Sequence, residues 1–264
     1  MPVTDAEDGP GMTPATALPE IVAHRGNAAE FPENTLQGLE SAVSLGLRHV
    51  EFDVQLTADM VPVLFHDSDL RRVAGHPDCV HDLTWTAIAE IPVGEIERLG
   101  HAHAFTYPPS LAQAVDALAG WDGVTAFVEV KRSSIRRFGR EVVLRRITEV
   151  LRPVMDRCVL ISFDLPSVKI LRLMTGARIG WVLSQYDDAT RAQAAELAPE
   201  FLFANLERLP ADVEPLWPGT WDWVIYEVRD IRTAKACQAR GARFVESMTV
   251  RGLQHAYAES RRQW

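Results

Sequence analysis

Residues 50–56 alternate apolar and polar side chains without a break, and that pattern constrains the fold more than any other in the chain. In a strand, side chains at i and i+2 share a face. Val50, Phe52 and Val54 therefore lie on one side and Glu51, Asp53 and Gln55 on the other. Upstream is a short apolar run at residues 21–24. Between the two, Pro32-Glu33-Asn34-Thr35 opens a segment in which Leu36, Leu39, Ala42, Val43 and Leu47 recur at near-helical spacing, interrupted by Gly46. Strand, helix, strand within about thirty residues is a βαβ unit, whose parallel strands are covered on both faces. The acidic face then points toward the other covered side of a sheet or into a barrel interior. Glu51 and Asp53 project about 7 Å apart by Cα rise. Two carboxylates so placed repel each other unless a cation lies between them, and oxygen-only ligands favour Mg²⁺, Ca²⁺ or Mn²⁺ over Zn²⁺.

A second apolar run, residues 61–65, ends in His66-Asp67, much as the first ends in His24-Arg25-Gly26. One such histidine is usually a structural hydrogen-bonder. Two, each with charged company at a strand's carboxyl end, provide an acid–base pair: a neutral imidazole to take a proton and an imidazolium to give one. The planar fork of Arg25 suits phosphate oxygens, and it suits an ion pair with Glu33 equally. Asn34 and Thr35 are expected to cap the first helix.

His24-Arg25-Gly26, Pro32-Glu33-Asn34-Thr35, Glu51-Phe52-Asp53-Val54 and His66-Asp67, in this order and spacing, resemble the signature series of the glycerophosphodiester phosphodiesterase family. The resemblance implies that His24 and His66 are the acid–base pair and that Glu51 and Asp53 hold a divalent metal. It also implies that Glu129 completes the metal site and that Lys131 faces the substrate phosphate. Read alone, Glu129-Val130-Lys131 is an intrastrand ion pair as readily as a site. Glu33 is expected to support the metal site from behind.

After His66 comes a polar, irregular stretch, residues 67–109, which the resemblance marks as the family's insertion. It carries four histidines, and its helix candidate is 84–91. Beyond it the chain alternates. Helices are expected at 110–119, 136–151, 165 onward, 189–197, 209–217, 231–240 and 250–260. Strands are expected at 124–130, 158–163, 178–183, 201–204, 223–228 and 242–246. With 21–24 and 50–56 that makes eight strands in βα alternation, a single (β/α)₈ TIM barrel over residues 21–264 with a loop-rich insertion after the second strand. An open doubly wound sheet would bring a Gly-rich phosphate turn after its first strand, and Gly26-Asn27-Ala28-Ala29 lacks that spacing.

The carboxyl-terminal third departs from the family. Tyr226-Glu227-Val228-Arg229 stands where many members carry Trp-Thr-Val-Asn, and Val245-Glu246-Ser247-Met248 replaces a common Ile-Thr-Asp ending. One pocket wall is therefore altered around Tyr226, Arg229, Glu246 and Met248. Trp181, Trp217, Trp221 and Trp223 read as packing residues.

At 264 residues the chain fits one such barrel, and its net charge of −9 excludes a nucleic-acid surface. Cys79, Cys158 and Cys237, odd in number and far apart, form no disulfide framework and suit a cytoplasmic location. Residues 1–20 read as a flexible lead-in and not as a signal peptide. The expectation is metal-dependent hydrolysis of a small glycerophosphodiester to glycerol 3-phosphate and an alcohol. The protein is expected as a monomer or homodimer without stable membrane association. The alternatives are a lysophospholipase D-like phosphodiesterase and a non-catalytic phosphodiester- or metal-binding barrel.

Overall fold

The computed structural model describes residues 18–210 and 215–262. Its strands, in chain order, are β1 (Glu20–Ala23), β2 (His49–Leu56), β3 (Pro62–Leu64), β4 (Thr125–Val130), β5 (Cys158–Ser162), β6 (Arg178–Val182), β7 (Phe201–Asn205), β8 (Asp222–Tyr226) and β9 (Phe244–Ser247). Eight of them pair in parallel in the order β1-β9-β8-β7-β6-β5-β4-β2, and β2 returns to β1 to close the ring. This is the (β/α)₈ barrel read from the sequence.

Side-chain alternation divides the apolar residues into separate cores. Outward-facing Val50, Phe52, Val54, Ala126, Val128, Leu160, Ile179, Leu202, Ile225 and Val245 pack beneath the helices. Inward-facing Val22, Phe127, Val159, Ile161, Val182, Phe201, Phe203, Val224 and Phe244 fill the lumen. Phe127 makes edge contacts with Phe201 and Phe203, with ring centroids 5.1 and 5.5 Å apart. Gly180 makes room for this layer, since a Cβ there would lie 2.8 Å from Ile161 Cγ2 and 3.0 Å from Phe203. The lower lumen is thus sealed by aromatics, and chemistry is left to the upper rim. Trp181, Trp217 and Trp223 are buried in the helix–barrel layer, as expected of packing residues.

β3 is not a barrel strand. It runs antiparallel to the overhanging end of β2, pairing Val54 with Leu64 and Leu56 with Pro62. The chain rises above the rim on β2 and folds back, so that Phe65 N–H donates to Asp53 O at 3.0 Å. His66 therefore sits at the carboxyl end of a strand, as read from the sequence, but reaches the active face by a hairpin outside the barrel. Val63 and Phe65 of the hairpin form a small core with Leu70, Val73, Val80, Ile88 and Val93 of the residues that follow. That core supports more short helices than the one expected at 84–91: Arg71–Ala74, Trp85–Ile88 and Ile96–Leu99, with 3₁₀ turns at Val80–Asp82 and Gly100–His103.

Other boundaries shift for local reasons. The helix expected at 136–151 is two, Arg132–Phe138 and Arg140–Leu151, because Gly139 between them has φ +83°, outside right-handed helix space. The helix after residue 109, Leu111–Gly120, carries a full capping box between Ser110 and Gln113. Of the segment expected at 209–217, residues 211–214 lie outside the described residues and 215–217 are not helical. Residues 1–17 of the expected lead-in also lie outside them.

Candidate active site

The rim is assembled from the ends of β1, β2, β4, β8 and β9 and the turn after β3. β1 ends by placing His24 N–H on Ser247 O at 3.0 Å. The chain then turns sharply through Arg25 (φ +57°) and Gly26 (φ +82°). A Cβ on Gly26 would lie 2.6 Å from the Gly38 backbone, so glycine lets the helix Leu36–Ser44 press against this turn. The turn aims Arg25 N–H at Glu51 Oε2, 2.9 Å away. Thr35 caps the helix by accepting from Gly38 N–H. Asn34, expected to share that role, instead has φ +56° and clasps Asp53. Its Nδ2 donates to Asp53 Oδ2 and its Oδ1 accepts from Asp53 N–H, both at 2.9 Å.

β2 and β4 bring the acids together by register, pairing Asp53 with Glu129. One ligand oxygen each from Glu51, Asp53 and Glu129 lies within 4.8 Å of the others. Lys131, just past β4, places Nζ 3.1 Å from Asp53 Oδ1 and 2.9 Å from Glu129 Oε1. Arg25 Nε lies 3.3 Å from Asp53 Oδ2, near enough for charge attraction though not aligned for a hydrogen bond. Its Nη1 donates to Glu33 Oε1 at 3.1 Å. Glu33 also takes a bidentate pair from Arg72, at 2.8 and 2.7 Å. Glu33 thus reaches the grouped acids only through Arg25.

His66 Nδ1 lies 2.6 Å from Asp67 Oδ1, and Arg72 Nε donates to the other Asp67 oxygen at 2.7 Å. Gln55 Nε2 donates to His66 O at 3.0 Å. An ionised carboxylate only accepts, so His66 Nδ1 carries a hydrogen and Nε2 is left for exchange. Arg72 and Asp67 hold the imidazole in place much as a carboxylate orients a catalytic histidine elsewhere. His24, Arg25, Glu51, His66, Glu129 and Lys131 all line one open cleft of about 410 Å³, floored by Ile161, Val182 and Phe203.

Burial and charge divide these groups. Burial opposes ionisation of Asp53, but Lys131, then Arg25, overcome it and hold its carboxyl far below the usual carboxylate range. Burial pushes Glu51 up, reinforced by Asp53, Glu246 and Glu129. Burial raises Glu129 as well, against the pull of Lys131. Burial, then the Arg25 charge, lowers His24 well below the ordinary histidine value, so its ring is neutral at neutral pH. The three carboxylates fit a divalent cation: their oxygens lie at the mutual spacing of a coordination shell with metal–oxygen distances of about 2.0–2.6 Å.

The rim also contains residues that the sequence reading did not single out. Asn34 and Gln55 orient Asp53 and His66. Gln55 had a legible signal, since it shares a strand face with Glu51 and Asp53. Glu246, noted only as a departure on the altered wall, is 3% exposed and points into the lumen. Glu227, at φ +69°, lies 3.9 Å from His24 Nδ1. Tyr226 lines the cleft, and burial, then Glu246, push its hydroxyl up to about 12. Met248 is not among the cleft's lining residues, and the Arg229 side chain is 76% exposed.

A family model described as the glycerophosphoryl diester phosphodiesterase family matches residues 24–213. Glycerophosphodiester phosphodiesterase 1 of Bos taurus is 34% identical over 110 residues, which cover 42% of this chain and 33% of that protein. Glycerophosphodiester phosphodiesterase of Caldanaerobacter subterraneus subsp. tengcongensis is 28% identical over 155 residues, 58% of this chain and 62% of the relative. The chain thus matches about a third of the length of its mammalian relatives. Among solved structures, an Oleispira antarctica phosphodiesterase in complex with the product sn-glycerol-3-phosphate superimposes with a TM-score of 0.77 at 22% identity, covering 92% of this chain and 97% of that one. Glycerophosphodiester phosphodiesterase from Agrobacterium tumefaciens gives 0.70 at 18% identity, with 90% and 100% covered. At these identities the structures establish the fold.

Proposed function

Because the chain belongs to the glycerophosphoryl diester phosphodiesterase family, we propose that it hydrolyses glycerophosphodiesters to glycerol 3-phosphate and an alcohol. One observation carries this reading: two histidines, Glu51 and Glu129 line a single cleft beside Arg25 and Lys131, and Asp53 brings a third carboxylate oxygen within 4.8 Å of those two. Glu51, Asp53 and Glu129 would hold one Mg²⁺ or Ca²⁺, with Mn²⁺ an acceptable substitute. When bound, that cation neutralises phosphate charge and orients the attacking oxygen.

The chain's own groups do the rest. Arg25 and Lys131 offer their charges to the phosphate oxygens from the cleft wall. Neutral His24 accepts the proton of the nucleophile, and His66 delivers one from Nε2 to the leaving alkoxide. Asp67 holds the His66 ring through Nδ1. Glu33 keeps Arg25 extended across the rim by pairing with it and with Arg72. A barrel that only binds phosphodiesters has no use for the histidine pair. The three unpaired cysteines favour a cytoplasmic setting.

Chelation is expected to abolish glycerol 3-phosphate release, and added Mg²⁺ or Ca²⁺ to restore it. Full turnover in protein stripped of metal, verified by elemental analysis, would sink the metal site.

The lysophospholipid reading is favoured by one structural feature. Ile96, Phe105 and Tyr107 of the insertion are exposed, Phe105 at 85%, large apolar side chains that the sequence did not single out. Against it stand the polar cleft and the net charge of −9, which opposes an anionic bilayer. Among the described residues no helix is long and apolar enough to cross a membrane. The expected outcome is a higher kcat/KM for glycerophosphocholine than for lysophosphatidylcholine below its micellar concentration. The reverse order would promote the lipid substrate.

A further inference from the structure

Four buried carboxyl groups crowd the upper lumen, and the positive charge around them is unevenly shared. Arg25 and Lys131 pair with Asp53, and Lys131 also pairs with Glu129. Among the described residues, neither Glu51 nor Glu246 has a lysine or arginine side-chain nitrogen within ion-pair distance. Glu51 receives the Arg25 backbone N–H. Glu246 Oε1 is buried without a hydrogen-bond partner, and so is His24 Nδ1. A buried carboxylate oxygen left unsatisfied is costly, and natural sites rarely leave one without a cause.

The residues that carry these orphans are neighbours. One ligand atom each from His24, Glu51 and Glu246 lies within 4.8 Å of the others, and all three residues line the cleft. The group shares Glu51 with the Glu51–Asp53–Glu129 trio but differs from it chemically. The trio offers oxygen alone, whereas this second set adds an imidazole nitrogen. Nitrogen-containing sets suit Zn²⁺ far better than Mg²⁺ or Ca²⁺, and three protein ligands with an open position are an ordinary zinc arrangement.

We propose that His24, Glu51 and Glu246 form a second divalent-cation site, selective for Zn²⁺ over Mg²⁺ and bridged through Glu51 to the first, whose occupation switches the enzyme off. A neutral imidazole has a single ring-nitrogen lone pair. A cation that takes it leaves only N–H on the other nitrogen, so His24 can no longer accept the proton of the nucleophile. The departure at Glu246 on the altered wall thereby supplies an inhibitory site beside the catalytic one. This inference rests on the proposed role of His24 for its consequence, but not for the binding itself.

The test separates the two. Metal-free Asp53→Asn protein, in which the first site is disabled, is titrated with Zn²⁺ by calorimetry and examined by zinc X-ray absorption. The expected result is one equivalent bound with a nitrogen in its first shell. Adding Glu246→Gln should weaken that binding by more than about a hundredfold, beyond the 10–100-fold typical of losing an outer-shell partner. Glu246→Thr in the same background provides a second variant, and thermal melts establish that each is folded. Equal Zn²⁺ affinity with and without Glu246, or an all-oxygen shell, overturns the proposal. In the Mg²⁺-loaded wild type, Zn²⁺ should lower turnover in step with the added equivalent. Undiminished turnover with Zn²⁺ on the nitrogen would count against the assigned role of His24 and leave the site standing. Equal Mg²⁺ binding by wild type and Asp53→Asn would count against the first metal site alone.

Discussion

His66→Ala and His24→Ala each lower kcat by about 10²–10⁴-fold, the contribution of one positioned acid or base, while Mg²⁺ affinity stays nearly unchanged. The two losses have different side effects. His66 is half-exposed at the cleft mouth, and removing it leaves Asp67 still paired with Arg72, so stability should hardly move. His24 is buried at the end of β1, so alanine there leaves a void, and His24→Gln is the better-packed comparison. Catalysis needs His24 neutral, and burial, then Arg25, hold its pKa below the ordinary value of about 6.5. Activity should therefore persist below that pH and fall only on further acidification, with both limbs belonging to the coupled pair and not to one ring. Near-normal turnover in either variant would refute paired proton transfer. So would metal affinity lost together with activity, which would make the histidines ligands.

Much of this arrangement was legible because strand alternation is rigid. Once residues 50–56 are a parallel strand covered on both faces, Glu51 and Asp53 have to enter the lumen, and β4 has to bring Glu129 beside them. The same rule placed Glu246 inward, yet its meaning depends on which other strand ends it meets. That is set by barrel closure between β1, β9 and β2, which no local pattern encodes. Asn34 shows another limit. Asn before Thr at a helix start reads as a cap, and only the left-handed turn that carries its side chain to Asp53 reveals otherwise. The strand before His66 was found correctly, but a short apolar run specifies extended backbone and not whether its partner runs parallel or antiparallel. Gly139 was visible within the expected helix 136–151, but a glycine in a helical pattern is commonly tolerated, and its positive φ appears only in three dimensions.

Asp53→Ala is expected to remove divalent-cation affinity and to destabilise the fold by about 3–5 kcal/mol, the usual consequence of breaking a buried ion pair from one side. Asp53 anchors three neighbours at once. Arg25 and Lys131 lie within 3.3 and 3.1 Å of it, and Asn34 clasps it with two hydrogen bonds. Alanine leaves two buried cations with only Glu33 and Glu129, and it takes the acceptor from Asn34 Nδ2, although the backbone N–H of residue 53 still donates to Asn34 Oδ1. Asp53→Asn keeps most of the shape and should lose the metal while sparing part of the stability. The sign with pH follows from the depressed carboxyl pKa. A group ionised more readily in the folded state contributes stability above its unfolded value, about 3.9, and loses it as pH falls through the folded value. The gap in melting temperature between wild type and Asp53→Ala should therefore be full at pH 7, on the order of 10 °C for a chain of this size. It should narrow only in strong acid. A gap that vanished by pH 5 would show that the Asp53 carboxylate is not held by Arg25 and Lys131. Wild-type Mg²⁺ affinity in Asp53→Ala would remove this carboxylate from the cation's ligands.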